Sequence, residues 1–362
     1  IDVQPIAHAR VGAIGDGERY GKNYELPNAT AYNETCASIA NVYWNYRMFL
    51  LHGDSKYIDV LEKTLYNGLI SGIGLDGKSF FYTNAMQIIN NFKHSDIEFS
   101  RSGWFECSCC PTNLARLIPS IPGYMYAQKD DNLYVNLFIN SSSNINIKNI
   151  QVQVSQQNNY PWDGNLVFTI SPEKSNTFNL LVRIPGWAQN KAVPSDLYTF
   201  ENNAEKKITI KVNGYPVSYS MQNGYAVISR TWKQNDKVEM DLPMDVKRVV
   251  ANTNITDDMG KVALQRGPLM YCAEWVDNNG KTSNLIIPTN TQFAAEFKPK
   301  LLQGVTVLNA EVPAVIIQNG NSISTVKQKF TAIPYYSWAN RGKGEMMLWF
   351  PTQVKDIELL TR

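Results

Sequence analysis

The hydrophobic pattern of the chain changes its period near Asp131, and this change constrains the fold more than any other feature of the sequence. Upstream, apolar side chains recur at helical spacing, which predicts a helix from Asn33, as its N-cap, to about Leu51 and a second from about Lys56 to Ile70. A third helix is expected to begin just after Pro111, a residue suited to a first helical turn. Downstream, apolar and polar residues alternate in many short segments between turn formers, which is typical of antiparallel β-sandwiches.

The chain is therefore predicted to be a mixed multidomain protein. Its 362 residues suffice for two or three domains. The β-rich part is long for one sandwich, so we place a division near residue 245. This predicts a helical region over residues 1–127, a β-sandwich over 128–245 and a second β-sandwich over 246–362.

Charge and hydropathy exclude several classes of function. The formal net charge is +2 and no run of Lys or Arg is present, so we expect no nucleic-acid partner, which would require a basic patch. No stretch approaches the roughly 18 apolar residues of a membrane helix, so we expect no membrane span. The sequence starts at Ile1 rather than Met, and we expect localisation signals to be missing from view. The compartment, bacterial periplasm or cytoplasm, stays open.

The cysteines predict metal-binding or catalytic thiols rather than disulfides. There are five of them, an odd number, and three lie within four residues. Cys109 and Cys110 are adjacent and could pair with each other only through a strained ring. Cys107 is expected only to pack nearby, and Cys272, in an apolar strand, is interpreted as a buried small hydrophobe.

Two motifs at predicted helix starts could hold a metal ion. Glu34 and Cys36 belong to the first motif, and Cys109 and Cys110 to the second. One carboxylate and three thiolates suit a tetrahedral Zn²⁺ ion, and helix N-termini favour the anionic form of a thiol. The ligand types alone are equally compatible with a structural zinc site, and buried inert thiols are a further alternative.

A series of motifs along nearly the whole chain resembles glycoside hydrolase family 127, the β-L-arabinofuranosidases, to which family 146 is related. The motifs are Gly15-Asp-Gly-Glu18, Tyr24-Glu-Leu-Pro-Asn28, Tyr32-Asn-Glu-Thr-Cys-Ala37, Leu65-Tyr-Asn-Gly68, Phe80-Phe-Tyr82, Cys109-Cys-Pro-Thr-Asn113, Arg183-Ile-Pro-Gly-Trp187, Arg230-Thr-Trp232, Leu242-Pro-Met244, Gln265-Arg-Gly-Pro268 and Pro334-Tyr-Tyr-Ser-Trp-Ala-Asn-Arg341.

The resemblance implies a zinc-dependent retaining glycosidase that releases β-L-arabinofuranose or a related sugar from plant-type glycans. It implies that zinc is held by Glu34, Cys36, Cys109 and Cys110, that Cys109 is the nucleophile and that Glu18 is the general acid/base. It also implies that Tyr82 lies near the nucleophile, hydrogen-bonding sulfur or sugar. The alternative is a non-catalytic carbohydrate-binding or scaffold protein with a structural zinc site.

The resemblance further implies that the helical region is part of an (α/α)6 barrel. The three helices predicted within residues 1–127 cannot close such a barrel. We therefore expect the remaining helices to come from a missing N-terminal half or from a partner chain, as in a homodimer. Weak or no turnover is expected from these 362 residues alone.

Overall fold

The computed structural model describes residues 21–89, 99–201, 206–317 and 323–357. The α-helices of this part of the chain are α1 (Thr35–His52), α2 (Ser55–Thr64), α3 (Cys109–Leu117) and α4 (Pro122–Met125). The strands are β1 (Gln87–Ile88), β2 (Tyr126–Lys129), β3 (Asn132–Val135), β4 (Ser141–Ile147), β5 (Ile150–Gln156), β6 (Asn165–Pro172), β7 (Asn176–Arg183), β8 (Tyr198–Phe200), β9 (Ile210–Val212), β10 (Tyr215–Pro216), β11 (Ser220–Gln222), β12 (Tyr225–Trp232), β13 (Asp236–Asp241), β14 (Val246–Ala251), β15 (Lys261–Arg266), β16 (Leu269–Glu274), β17 (Ala294–Lys298), β18 (Val305–Ile317), β19 (Ile323–Pro334), β20 (Met346–Met347) and β21 (Phe350–Pro351).

The first two predicted helices are α1 and α2, which form a helical hairpin. Gly53 ends α1 in the left-handed region at φ 63°, and its N–H donates to the carbonyl of Phe49. Asp54 then caps α2 by accepting a hydrogen bond from the Lys56 N–H at 2.9 Å. The predicted break between the two helices is confirmed.

The predicted N-cap of α1 is wrong. Glu34 occupies that position, and Asn33 has a left-handed backbone at φ 41°. The Asn33 side chain donates instead to the Asn84 carbonyl, and the Asn84 side chain donates to the Asn33 carbonyl. A non-local pair of hydrogen bonds therefore replaces the local cap.

The second and third helices also differ from prediction in their bounds. The α-helix α2 ends at Thr64 and continues as a π-helical turn over Leu65–Leu69. Within that turn, the Asn67 side chain pairs with the Pro268 carbonyl and the Met270 N–H, which joins the helical region to β16. Helix α3 begins at Cys109, so Pro111 is its third residue. Proline, which lacks an N–H, is tolerated there because the N–H groups of a first helical turn have no intrahelical acceptor.

The helical hairpin rests on a β-sheet. The hydrophobic core of the helices includes Ile39 and Val42 from α1 and Leu114 from α3, together with Leu181 and Tyr225 from the sheet beneath. That sheet has five strands in the order β11-β12-β7-β3-β2, and a six-stranded sheet in the order β10-β9-β13-β6-β5-β4 faces it across a shared core. The pairing is antiparallel except between β3 and β7, which run parallel.

The C-terminal strands belong to one connected sheet of ten strands, whose main path is β17-β18-β19-β16-β15-β14-β8. Two of its strands come from earlier in the chain, because β8 pairs with β14 and β1 pairs with β20. The mixed, mostly β multidomain architecture is confirmed. The few helices of the described residues leave the (α/α)6 barrel a prediction, and the domain bounds 1–127, 128–245 and 246–362 stay predictions as well.

Candidate metal and catalytic centre

An extended segment at residues 80–84 fixes the start of α1. Its backbone forms a bridge between Thr83 and Glu34, and the carbonyl of Tyr82 accepts a hydrogen bond from the Thr35 N–H at 2.9 Å. The Thr35 hydroxyl donates to the carbonyl of Phe81 at 2.8 Å. These backbone contacts hold Glu34 and Cys36, on either side of Thr35, at the N-terminus of the helix.

Helix α3 brings the other two sulfurs to the same place. Cys109 and Cys110 are its first two residues, and α3 packs against α1 through the fully buried Leu114 and Leu117. Cys110 is completely buried, whereas Cys109 and Cys36 are half-buried. The N-termini of α1 and α3 therefore meet, and each presents its partial positive charge to the thiols.

The four predicted ligand side chains lie together. We call Glu34, Cys36, Cys109 and Cys110 the Glu/Cys cluster; one ligand atom from each lies within 4.8 Å of the others. The sulfur of Cys110 is 3.4 Å from that of Cys36 and 3.7 Å from that of Cys109. The Oε1 atom of Glu34 is 3.7 Å from the Cys109 sulfur and 3.9 Å from the Cys110 sulfur.

These distances suit a small four-coordinate ion. A tetrahedral ion with metal–sulfur bonds of about 2.3 Å separates its sulfurs by about 3.8 Å and separates sulfur from a carboxylate oxygen by about 3.6 Å. Four of the six pairs of ligand atoms are separated by 3.4–3.9 Å, which brackets these values, and all six lie within 4.8 Å. The residues present therefore fit a tetrahedral metal centre in both donor type and spacing.

The three thiols have very different acidities in the absence of a cation. Hydrogen bonds, first from Cys110 and then from the Asn113 amide, lower the pKa of Cys36 to about 6. Burial raises the pKa of Cys109 to about 12. The pKa of Cys110 is also raised, because its thiol donates to Cys36 and is buried. One thiolate is therefore present at neutral pH, and a bound cation is needed for all three sulfurs to ionise.

Tyr82 contacts the predicted nucleophile. Its hydroxyl hydrogen-bonds the Cys109 thiol and lowers its pKa, against the larger effect of burial. Its half-buried ring lies edge-on to Tyr32 at 6.1 Å and to Phe105 at 5.8 Å between centroids. The neighbouring Phe81, by contrast, is a core residue with no exposed surface.

Residues of the C-terminal region pack against the segment that carries Phe81 and Tyr82. The Phe81 ring stacks on Trp338 at 4.8 Å, and the Arg101 guanidinium lies 4.4 Å from the centre of the same ring. Arg101 donates to the carbonyls of Ser71, Trp338 and Tyr336. The segment that carries Tyr82 is therefore held between the helical region and the end of β19.

Asn113 contacts the cluster as well. Its Nδ2 atom donates to the Cys36 sulfur at 3.1 Å, and its Oδ1 atom accepts from Arg116 at 3.1 Å. In the sequence, Asn113 was recognised only as the last residue of the Cys109–Asn113 motif. Its position one helical turn after Cys109 and Cys110 is the signal that places it on the same face of α3.

The remaining predicted residues lie elsewhere. Glu18 falls outside the described residues. Cys107 is exposed and does not belong to the Glu/Cys cluster. Cys272 is completely buried in β16, as predicted for a small core hydrophobe. A cavity of about 740 Å³ lies between α2 and the loop at residues 186–195, and none of the cluster residues lines it.

Within the described ranges, no helix is both long and apolar enough to cross a membrane.

Comparison with known proteins identifies three family models along the chain, all from one family. Residues 9–123 match the GH127 catalytic domain of β-L-arabinofuranosidase, residues 132–244 match the GH127 middle domain, and residues 246–351 match the glycoside hydrolase family 127 C-terminal domain. The chain is 35% identical to a non-reducing end β-L-arabinofuranosidase of Bifidobacterium longum subsp. longum, over 93% of this chain and 52% of that protein.

Solved structures agree with these matches. A GH127 β-arabinofuranosidase superposes with a TM-score of 0.92 at 42% identity, covering 98% of this chain and 54% of that one. A GH127 β-L-arabinofuranosidase from Geobacillus stearothermophilus T6 superposes with a TM-score of 0.87 at 40% identity, covering 96% and 54%. The chain spans about half the length of these relatives. It belongs to glycoside hydrolase family 127.

Proposed function

We propose that this chain carries the zinc–thiolate centre of a retaining glycoside hydrolase that releases β-L-arabinofuranose or a related sugar from plant-type glycans. The observation that carries the proposal is the convergence of one carboxylate and three sulfurs within 4.8 Å. The relatives are a β-arabinofuranosidase and two β-L-arabinofuranosidases, which supports the choice of sugar. A carbohydrate is accordingly the proposed binding partner.

Zinc is the proposed metal, and the Glu/Cys cluster would hold it. Thiolates are soft ligands and exclude Mg²⁺ and Ca²⁺ as natural occupants, whereas three sulfurs with one carboxylate suit zinc. When bound, zinc would keep all three thiols deprotonated at neutral pH.

Cys109 is the proposed nucleophile. Its sulfur attacks the anomeric carbon, and a carbon–sulfur bond forms while the bond to the departing glycosidic oxygen breaks. Glu18 donates a proton to that oxygen. It then removes a proton from a water molecule, whose oxygen attacks the same carbon and displaces the Cys109 sulfur. Two displacements at one carbon retain its configuration, as in glycosidases that use a carboxylate.

The accessibility of the sulfurs supports this assignment. Cys110 is completely buried and cannot meet a sugar, whereas Cys109 is half-buried and is hydrogen-bonded by the hydroxyl of Tyr82. A tyrosine at this position can hydrogen-bond both the sulfur and a bound sugar, which is the substrate-binding role we propose for Tyr82.

The helical region would form part of an (α/α)6 barrel completed by further helices. One side of α1 exposes large apolar side chains, with Trp44 55% and Leu51 75% exposed. Exposed apolar surface of this kind marks an interaction face. We propose that upstream helices of a longer protein, or those of a second copy of the chain, cover this face and complete the sugar pocket.

The closest test uses single cysteine substitutions in the longest available product of the gene. Cys109→Ser should abolish turnover of nitrophenyl β-L-arabinofuranoside, and a haloacetamido sugar should label the Cys109 thiol in the unsubstituted protein. Cys107→Ser is the matched control, because Cys107 is exposed and outside the cluster. Retained turnover in Cys109→Ser would overturn the proposal. The 362-residue chain alone is expected to show weak or no turnover.

A non-catalytic carbohydrate-binding or scaffold protein with a structural zinc site is the second candidate. The observation that favours it is the number of protein ligands, since four suffice to close a zinc site and catalytic zinc sites usually keep one position open. If the zinc site were only structural, the haloacetamido sugar would label Cys109 no faster than Cys36. Cys109→Ser would lower only metal affinity and stability.

A further inference from the structure

The three sulfurs of the Glu/Cys cluster have different partners outside it. Cys36 receives a hydrogen bond from Asn113 Nδ2 at 3.1 Å. Cys110 is completely buried beside the α1–α3 contact. Cys109 is half-buried, and its partner outside the cluster among the described residues is the Tyr82 hydroxyl. The side chain of Asn113 therefore distinguishes one sulfur from the other two.

The neighbours of Asn113 determine how its amide is oriented. Its Oδ1 atom accepts from Arg116 Nη1 at 3.1 Å, while its Nδ2 atom lies against the Cys36 sulfur. Guanidinium groups only donate hydrogen bonds, and a thiolate only accepts them. The opposite amide orientation would place an acceptor against the thiolate and a donor against the guanidinium. Arg116 thus fixes the orientation in which Asn113 donates to sulfur.

The hydrogen bond has a defined consequence for a metal-bound sulfur. A donor outside the ligand shell fixes the direction of the ligand and tunes its electron density. A sulfur held in this way from outside stays in place when a neighbouring sulfur moves. The hydrogen bond from Asn113 holds the Cys36 sulfur in this way.

We propose that Asn113 is a positioning residue that anchors Cys36 as a permanent metal ligand and so leaves Cys109 as the sulfur free to react. This inference rests on the proposed function and adds to it the reason why one of three cysteines acts as the nucleophile. Arg116 contributes indirectly, by orienting the Asn113 amide.

The test compares isosteric variants by two readouts that do not require turnover. Asn113→Asp keeps the shape but replaces the donor with a carboxylate, and Asn113→Leu keeps the approximate volume without a donor. Zinc affinity is measured by competition with a chromogenic chelator. The zinc-loaded protein is then alkylated with limiting iodoacetamide, and each cysteine peptide is quantified by mass spectrometry.

We expect both variants to bind zinc about 10–100-fold more weakly than the unsubstituted protein, which is the usual effect of removing such an outer hydrogen bond. Among the three sulfurs of the Glu/Cys cluster, we also expect alkylation to be confined to Cys109 in the unsubstituted protein and to spread to Cys36 in the variants, whereas the exposed Cys107 reacts in all of them. Arg116→Ala should change both readouts in the same direction but less. Ala115→Ser, an exposed position on the same helix, is the control and should change neither.

Unchanged zinc affinity and unchanged labelling in Asn113→Asp would overturn the inference. An equal effect in Ala115→Ser would also overturn it, because the cause would then be the helix rather than the hydrogen bond. Failure of the proposed function looks different: Cys109→Ser would retain turnover, whatever the Asn113 variants do to zinc.

Discussion

Two clusters of ionisable side chains involve the helical hairpin, and they differ in whether they contain a countercharge. In the first, which we call the Arg183 cluster, the guanidinium of Arg183 lies 2.6 Å from Asp59 and 2.5 Å from Glu62. Arg183 has no exposed surface. In the Glu/Cys cluster all four members are anions when ionised. The first cluster contains its own countercharge, whereas the four members of the second include no cationic side chain.

The difference teaches how to separate a structural charge cluster from a candidate reactive one. Buried charges persist when they are paired and hydrogen-bonded. The Arg183 cluster meets this condition with protein atoms alone, including hydrogen bonds from Arg183 to the Asn136 carbonyl and from Tyr160 to Glu62. None of the four members of the Glu/Cys cluster is cationic, so its three thiols could all ionise only with a bound cation. Removing the proposed zinc would therefore correspond to removing Arg183.

Removing the proposed zinc should have the largest effect. Apparent binding free energies of thiolate zinc sites in small peptides are about 10–16 kcal/mol, more than a single side chain supplies. Because the Glu/Cys cluster joins the starts of α1 and α3, we expect 1,10-phenanthroline to lower the thermal unfolding midpoint of the helical region, followed by near-UV circular dichroism. The non-chelating isomer 1,7-phenanthroline is the control. Equal unfolding midpoints in the two compounds would contradict a bound metal.

Arg183→Met should have the next largest effect. It leaves the buried Glu62 and the partly exposed Asp59 without their countercharge, which costs about 3–5 kcal/mol in the free energy of unfolding. Urea denaturation measures this loss. A loss below about 1 kcal/mol, typical of exposed pairs, would show that the Arg183 cluster is not internally compensated in the way described.

The raised pKa of Asp59 should make the free energy of unfolding depend on pH, by up to about 3 kcal/mol. Burial raises its pKa from 3.8 to about 6, although Arg183 opposes the rise. Between these two pH values the folded protein binds a proton that the unfolded chain has lost. The contribution of Asp59 to stability is therefore present below pH 3.8 and lost as the pH rises through about 6.

Asp59→Asn removes this dependence. The unfolding free energy of the unsubstituted protein minus that of the variant should fall between about pH 4 and pH 7, as measured by urea denaturation at each pH. A difference that stays constant across this interval would mean that Asp59 is already ionised at the lower pH.

Lys327→Met should have the smallest effect and serves as the surface counterpart of Arg183→Met. Lys327 lies 2.9 Å from Glu311, but the two side chains are 87% and 61% exposed. An exposed pair contributes about 0–1 kcal/mol. A loss comparable to that of Arg183→Met in the same urea titration would remove burial as the explanation of the difference.

The sequence allowed prediction of those features that depend on local pattern. The helical hairpin follows from apolar spacing with Gly53 and Asp54 between the helices, and the strands follow from alternation. The four members of the Glu/Cys cluster could be identified from two short motifs, because each motif lies at the start of a helix. Their individual roles were assigned by the family resemblance.

Features created by distant contacts could not be predicted. Asn33 lost its capping role because Asn84, 51 residues away, offers two hydrogen bonds. The π-helical turn exists where Asn67 reaches β16, about 200 residues further along the chain. Asn113 meets Cys36 only because α1 and α3 pack together, 77 residues apart in sequence. No local pattern encodes such pairings.

The hydrogen bonds from Arg101 to three backbone carbonyls connect the C-terminal region to the centre. Two of those carbonyls belong to Tyr336 and Trp338, and the Trp338 ring carries Phe81 on its face. The last third of the chain therefore helps to position the segment that carries Tyr82. Trimming a protein of this kind to its helices, in order to isolate the catalytic portion, would remove the wall that keeps its tyrosine aimed at the sulfur.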